Sequence, residues 1–139
     1  MLIEETKTEI RDLGALQRGL AFYEREAWAA AHRLGWRPRR GVVLLVALDT
    51  ATLGRRLTDN REVVAGAFPA AIGEVTAWLA DPGCEPPHGW GIAMADPATR
   101  RSRWLRPAVL GARRRPSAYE SYADAAARLL RPGQRPGRR

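Results

Sequence analysis

The residues whose types and spacing could do chemistry lie near the start of the chain, in Glu5-Thr6-Lys7. Residues 2–10 alternate in polarity and are rich in Ile and Thr, which predicts a β-strand, where residues two apart share one face. A carboxylate there can hold Mg²⁺, and a lysine beside it can supply positive charge to a phosphate under attack. The pair therefore suggests metal-assisted phosphodiester hydrolysis, with Glu5 as metal ligand and Lys7 as transition-state cation.

A second interpretation of the same pair needs no chemistry. Glu and Lys are common on the solvated face of an edge strand, where Lys also discourages aggregation. Lys7 is nevertheless the single lysine among the 23 cationic residues of the chain, since all the others are Arg. A flat guanidinium that keeps its proton replaces such a lysine poorly, which favours a specific role for Lys7. The residues alone leave both interpretations open.

The net charge of +8 originates in the C-terminal part of the chain. Residues 1–99 carry 11 cations against 13 acids, a balance of −2, whereas residues 100–139 carry 12 Arg against two acids, a balance of +10. Such an excess attracts polyanions, so nucleic-acid phosphates are candidate ligands, with solubility as the alternative role. The candidate contacts are Arg100, Arg101, Arg103, Arg106, Arg113, Arg114 and Arg115.

Composition excludes several classes of protein. A chain of 139 residues that is 45% hydrophobic and 27% charged indicates one folded domain rather than an intrinsically disordered protein. Its longest apolar run, Val42 to Leu48, is much shorter than the roughly 20 residues that span a bilayer. The single Cys84 excludes a disulfide framework, and the N-terminus does not resemble a signal peptide. We therefore expect a cytoplasmic protein without a membrane segment.

Apolar spacing predicts the elements that position these residues. The first half of the chain is predicted to contain a strand (2–10), a helix capped by Asp12 and ended by Gly35, and a strand (42–48). A helix capped by Asp49 or Thr50 follows and reaches about Ala67, and a shorter helix extends up to residue 81. The chain then forms a hairpin (89–95 with 102–105) and a last helix (119–130). This order indicates one α/β domain over residues 1–130, with a C-terminal β-hairpin and helix. The tail, 131–139, is Arg, Pro and Gly, and we expect it to be disordered.

Six phrases carry a family resemblance in combination: LIEETKTEI, GWRPRR, VVLLVAL, NREVVAGAFP, RRSRWLRP and YESYADAA, which together span residues 2–128. They resemble the PD-(D/E)XK, or restriction-endonuclease-like, domain that follows an Xre-type helix-turn-helix in actinobacterial transcriptional regulators. The resemblance implies a mixed sheet flanked by helices. It also implies a metal site in which an Asp on a preceding strand joins an E-x-K, here matched by Glu5 and Lys7.

The chain departs from the family pattern in three ways. It begins at the E-x-K strand, so the strand that would carry the Asp has no counterpart in it, and it holds no helix-turn-helix. The Gln-x-x-x-Tyr of some family nucleases is also missing, since Gln17 is followed by Ala21. One carboxylate and one lysine do not complete a two-metal site. We therefore expect either part of a longer protein or a domain that does not catalyse.

The favoured function is a nuclease-like domain associated with a DNA-binding transcriptional regulator. It would contact phosphates through the C-terminal arginines, without catalysis as this chain, and its partners would be DNA and a helix-turn-helix domain or upstream segment. Two alternatives stay open. One is a non-catalytic protein-interaction or effector-sensing module that uses the exposed front of the sheet. The other is a Mg²⁺-dependent DNA endonuclease that uses Glu5 and Lys7.

Overall fold

A computed structural model of the chain describes residues 1–81, 83–99, 105–108 and 116–130. Its elements are β1 (Leu2–Lys7), α1 (Leu13–Arg33), β2 (Val42–Leu48), α2 (Ala51–Asp59), α3 (Arg61–Ala67), α4 (Ile72–Ala80), β3 (Gly91–Ala95), β4 (Leu105–Pro107) and α5 (Tyr122–Leu129). The candidate arginines at 100, 101, 103 and 113–115, and the predicted tail 131–139, lie outside the described residues.

The four strands form one mixed sheet in the order β1-β2-β3-β4. The first three run parallel, and β4 runs antiparallel to β3, with Leu105 opposite Ala95 and Arg106 opposite Met94. The α/β class is therefore confirmed. The predicted antiparallel pairing after β3 is present, but its second strand lies at Leu105–Pro107 instead of 102–105, and residues 102–104 lie outside the described residues. β1 and β4 lie at the two edges of this sheet.

β2 is the centre of the core because its alternating side chains pack in two opposite layers. Val43, Leu45 and Ala47 belong to one cluster, which also contains Leu20 of α1, Leu57 of α2 and Val64 of α3. Val42, Leu44 and Val46 belong to a second cluster with Val75 of α4. The prediction that this strand is buried on both faces is confirmed, since six of its seven residues are buried. Helices α1 to α3 thus cover one face of the sheet and α4 covers the other.

Both ends of α1 follow the predicted capping chemistry. The Asp12 carboxylate accepts a hydrogen bond from the N–H of Ala15 at 2.9 Å. At the other end Gly35 has φ +78, a left-handed conformation that favours glycine. The N–H groups of Gly35 and Trp36 donate to the carbonyls of His32 and Ala31, which is the Schellman arrangement. These caps fix where the chain leaves α1 to enter β2.

The inward face of α1 differs from the predicted stripe in its second half. The three- and four-residue apolar spacing of this helix predicts Tyr23 and Leu34 inside, but both are exposed, whereas Ala31 is buried. Next to Tyr23, the partly buried Glu24 carboxylate accepts a hydrogen bond from the Trp90 indole N–H at 3.1 Å. None of the helices in the described part of the chain is long and apolar enough to cross a membrane.

Two further predictions needed correction. The helix expected to reach Ala67 is divided at Asn60 into α2 and α3, and Thr50 rather than Asp49 is the N-cap of α2, accepting from the Leu53 N–H at 3.1 Å. The last helix begins later than predicted, at Tyr122, because residues 119 and 120 instead accept hydrogen bonds from the first turn of α2. Its buried residue is Ala125. Tyr122, Leu129 and Leu130, for which the apolar spacing predicts an inward position, are exposed.

The packing of α2 on the sheet predicts the effect of truncating its buried leucine. Leu57 has no exposed surface, so Leu57→Ala removes apolar contacts and leaves a cavity, which we expect to lower the free energy of unfolding by about 2–5 kcal/mol. Leu34→Ala, the same substitution at an exposed position, should change it by less than about 0.5 kcal/mol. Urea unfolding of both variants tests this, and equal losses would contradict the described core.

Candidate functional site

Glu5 and Lys7 lie on the same face of β1, as predicted, and contact each other. The Lys7 Nζ is 2.6 Å from a Glu5 carboxylate oxygen. Both side chains are partly covered, with exposed fractions of 24% for Glu5 and 39% for Lys7. The face they share is the one that α1 covers, since Ile3, two residues earlier, packs against the α1–α3 cluster. The structure thus brings together the two residues that the sequence singled out.

The contact favours the charged form of Lys7. The hydrogen bond to Glu5 is the largest cause that raises the Lys7 pKa above its ordinary value, and the negative charge of Glu5 adds to it, while burial acts in the opposite direction. Lys7 therefore remains protonated far above neutral pH. It is a fixed cation whose nearest partner is a carboxylate, so the positive charge that it can offer to a phosphate is largely neutralised.

A cleft of about 300 Å³ opens between β1 and the first half of α1, next to this pair. Ile10, Leu16 and Leu20 contribute apolar lining, and Tyr23 is a further lining residue. Gly19 also lines the cleft, and a Cβ added at that position would meet no atom within 4 Å. The cleft is large enough for a small ligand, and its charged lining residues other than the pair are Glu9, Arg11 and Asp12.

The residues around Glu5 do not by themselves fit a Mg²⁺ site. Glu9 accepts two hydrogen bonds from the Arg11 guanidinium, and the Asp12 carboxylate caps α1. Over the described ranges there is no group of three or more His, Cys, Asp or Glu side chains that could hold a metal ion. Glu5 therefore has a lysine rather than a second carboxylate as its close partner. A magnesium ion at this position would need ligands beyond those of the described cleft.

Two carboxylates that the sequence analysis did not select as site residues follow the neighbouring strands β2 and β3. Asp49 comes directly after β2, is completely buried and accepts a hydrogen bond from the Ser117 hydroxyl at 2.8 Å. Asp96 comes directly after β3 and accepts from the Tyr119 hydroxyl and from the Ala98 N–H, both at 2.9 Å. The available signal was an Asp immediately after each strongly apolar run. Their partners identify them as anchors for residues 116–120.

Residues 116–120 cross the carboxyl ends of the parallel strands and are held there by several contacts. The carbonyls of Tyr119 and Glu120 accept from the N–H groups of Ala51 and Thr52 at 2.9 and 3.0 Å. The Glu120 carboxylate also pairs with Arg55 at 2.7 Å. This segment therefore occupies the N-terminal end of α2, a position where an anion could otherwise bind.

Arg106, the candidate arginine on a described strand, is separated from Glu5 and Lys7 by the width of the sheet. Arg106 lies on β4, while the Glu5–Lys7 pair lies on β1 at the opposite edge. Three strand spacings separate these edges, or about 14 Å at the usual distance between strands. The remaining candidates, Arg100, Arg101, Arg103 and Arg113 to Arg115, lie outside the described residues. Of the candidate arginines, the described Arg106 therefore does not lie close to the Glu5–Lys7 pair.

Comparison of the chain with protein-family models, with curated proteins and with solved structures finds no match. Glu5 and Lys7 lie on a strand, a helix follows it, and the next strand returns parallel to the first.

The anchor between Tyr119 and Asp96 predicts a pH-dependent stability. Burial is the main cause that raises the Tyr119 pKa from 10.0 to about 12, and the hydrogen bond to Asp96 adds to it. Above pH of about 10 the unfolded tyrosine loses its proton while the folded one keeps it, so unfolding becomes easier as pH rises towards 12. Tyr119→Phe removes the bond, and near neutral pH we expect a loss of about 1–2 kcal/mol in unfolding free energy.

Urea unfolding of both proteins at several pH values between neutrality and about 11 measures this linkage. The stability advantage of the wild type over Tyr119→Phe should shrink as pH rises above about 10. An advantage that stays constant over that range would show that the Tyr119 hydroxyl does not titrate as described.

Proposed function

We propose that the chain is a non-catalytic, restriction-endonuclease-like domain of a DNA-binding regulator, and that it contacts nucleic-acid phosphates through its C-terminal arginines. The observation that carries the proposal is the separation of charge within the chain. A balance of +10 in residues 100–139 stands against −2 in residues 1–99. Phosphate contacts of this kind supply affinity and orientation, and they do not select a base sequence by themselves.

The anchored ends of the basic stretches support this proposal. Residues 100–104 are preceded by the Asp96 turn, where the Thr99 N–H donates to the Asp96 carbonyl, and followed by Leu105, which pairs with Ala95. Residues 109–115 are preceded by the buried Ala108 and followed by the segment that Asp49 and Asp96 anchor. The described residues that flank both basic stretches are therefore held by the sheet or by its anchored segment.

The state of the E-x-K pair supports the non-catalytic part of the proposal. Lys7 is bound to Glu5 at 2.6 Å, and the neighbouring carboxylates of Glu9 and Asp12 already have partners. Activation of a water for attack on a phosphate needs a group free to accept a proton or a metal held by several ligands. The described cleft supplies neither. On this proposal the chain would share the nuclease fold without its reaction.

DNA binding should depend on salt and on the arginine triplet. We expect the affinity for a duplex to fall steeply as salt rises, because each phosphate contact releases counterions. Replacing Arg113, Arg114 and Arg115 together by Gln should weaken binding. It should also reduce the slope of log affinity against log salt concentration by the equivalent of up to about three phosphate contacts. Fluorescence anisotropy with a labelled duplex at several salt concentrations measures both quantities.

A matched control separates a local contact from a general effect of charge. Replacing Arg25, Arg33 and Arg61 by Gln also removes three positive charges, from exposed positions on α1 and at the start of α3. This variant should keep most of the affinity and the salt slope of the wild type. Equal weakening by the two triple changes would show that net charge, rather than the C-terminal segment, determines binding.

The non-catalytic assignment can be tested with supercoiled plasmid and Mg²⁺ or Mn²⁺. We expect no nicking or linearisation above that of a mock purification, and no difference between the wild type and Lys7→Ala. Cleavage that requires a divalent metal and disappears in Lys7→Ala would contradict the assignment and favour the endonuclease alternative.

A further inference from the structure

β1 has an open hydrogen-bonding edge. The Val42 N–H donates to the Met1 carbonyl, so the backbone groups of residues 1, 3, 5 and 7 point towards β2. Those of Leu2, Glu4 and Thr6 consequently point the other way, and no strand in the described ranges pairs with that side. An unpaired row of this kind is a template for a further strand.

We propose that this edge pairs with β1 of a second copy of the chain, antiparallel and centred on Thr6. A two-fold axis through the pair of Thr6 residues would join the two sheets into one. Because the backbone groups of Thr6 point outwards in both copies, the two residues can exchange both backbone hydrogen bonds. The same register places Glu4 opposite Thr8. The interface requires no change in the ladder between β1 and β2.

Charge complementarity is the reason to expect β1 of a second copy at this open edge, paired in the register centred on Thr6. Centring the pairing on Thr6 places Glu5 of each copy directly opposite Lys7 of the other, at the closely spaced positions of an antiparallel pair. The two pairs already present within the chains, each at 2.6 Å, then form a closed ring of alternating charges. Every carboxylate in this ring has two ammonium neighbours.

The registers centred on the neighbouring residues Glu4, Glu5 and Lys7 also keep outward-pointing groups opposite each other, but they bring like charges together. Centring on Glu5 places the two Glu5 side chains opposite each other, and centring on Glu4 does the same for Glu4. Centring on Lys7 opposes the two lysines and places Glu5 against Glu9. Like charges directly opposite destabilise a sheet. Among the antiparallel registers centred on residues 4 to 7, the order of charges in β1 therefore favours the one centred on Thr6.

An exposed aromatic pair lies next to this edge. Tyr23 lines the cleft beside Lys7, and Phe22 contacts it edge to face at a ring distance of 5.9 Å. Their exposed fractions are 45% for Tyr23 and 49% for Phe22. Continuing the sheet across β1 brings the α1 helices of both copies onto the same face, on either side of the two-fold axis. The side of α1 that carries Tyr23 would then border the interface in each copy.

The pairing has a geometric consequence that rests on the proposed phosphate contacts. A joined sheet of eight strands separates the two copies of β4 by seven strand spacings, about 34 Å. One turn of B-form DNA is also about 34–36 Å long. The two copies of β4, which carries Arg106, would thus lie about one helical turn apart. The dimer itself does not depend on DNA binding and is tested without DNA.

The decisive experiment uses charge reversal and measures mass by light scattering during gel filtration. The wild type should have twice the mass of one chain at concentrations up to about 100 μM, which would reveal even a micromolar dissociation constant. Glu5→Lys and Lys7→Glu each place like charges opposite each other, so each variant alone should dissociate, with affinity reduced roughly a hundredfold. An equimolar mixture of the two variants should form a heterodimer.

The mixture isolates the contact between chains. Neither variant retains the Glu5–Lys7 pair within its own chain, so recovery of the dimer can come only from opposite charges in the partner copy. A monomeric wild type would overturn the proposal. Failure of the mixture to pair, with both variants folded by circular dichroism, would overturn the register and with it the argument for a second copy.

A backbone test at Thr6 is independent of charge. Thr6→Pro removes an N–H that points away from β2, which an edge strand tolerates, and it should give a folded monomer. Thr6→Val keeps the N–H and should remain a dimer. If Thr6→Pro also stays dimeric, the copies associate through another surface. Loss of DNA binding by any of these folded proteins bears on the proposed function and leaves the mass measurement unaffected.

Discussion

β2 contains no polar side chain between Val42 and Leu48, so both of its faces have to be removed from water. One helical layer cannot do this. The chain places α1, α2 and α3 on one side and α4 on the other, and it positions the neighbouring strands β1 and β3 by pairing them with β2. The burial of this strand on two sides is the constraint from which the arrangement of all the other described elements follows.

The central position of β2 determines where charge can lie. Because the centre is apolar on both faces, the polar groups of the sheet are found at its edges and at the ends of its strands. Glu5 and Lys7 lie on the edge strand β1, and Arg106 lies on the opposite edge strand β4. Asp49 and Asp96, at the carboxyl ends of β2 and β3, are used to attach residues 116–120. One edge strand of the sheet, β1, thus carries the Glu5–Lys7 pair. The opposite edge strand, β4, lies within the arginine-rich part of the sequence, residues 100–115.

The elements that sequence predicted correctly are those specified by local patterns. The continuous apolar run gives β2, Asp12 gives the start of α1, and Gly35 gives its end. Alternation in β1 also places Glu5 and Lys7 on one face, which made their contact predictable. Each of these features depends on residues that are near in sequence.

The features that sequence did not predict depend on contacts between distant residues. Tyr122 and Leu129 have the spacing of a buried stripe, but α5 packs through Ala125 because the preceding residues bind the start of α2. The Tyr23 side chain is exposed, and its neighbour Glu24 accepts a hydrogen bond from Trp90, which is 66 positions away in the chain. The anchoring roles of Asp49 and Asp96 could not be predicted because their partners are also far along the chain.

The central claim is that nucleic acid binds at the C-terminal edge of the domain and not at the cleft beside Glu5 and Lys7. Amide hydrogen exchange of the full chain, with and without a saturating duplex, tests it most directly. Our account predicts that DNA slows exchange in peptides that contain residues 96–120, while peptides covering β1 and the first half of α1 are unchanged. Protection confined to residues 2–20, with none in 96–120, would contradict it.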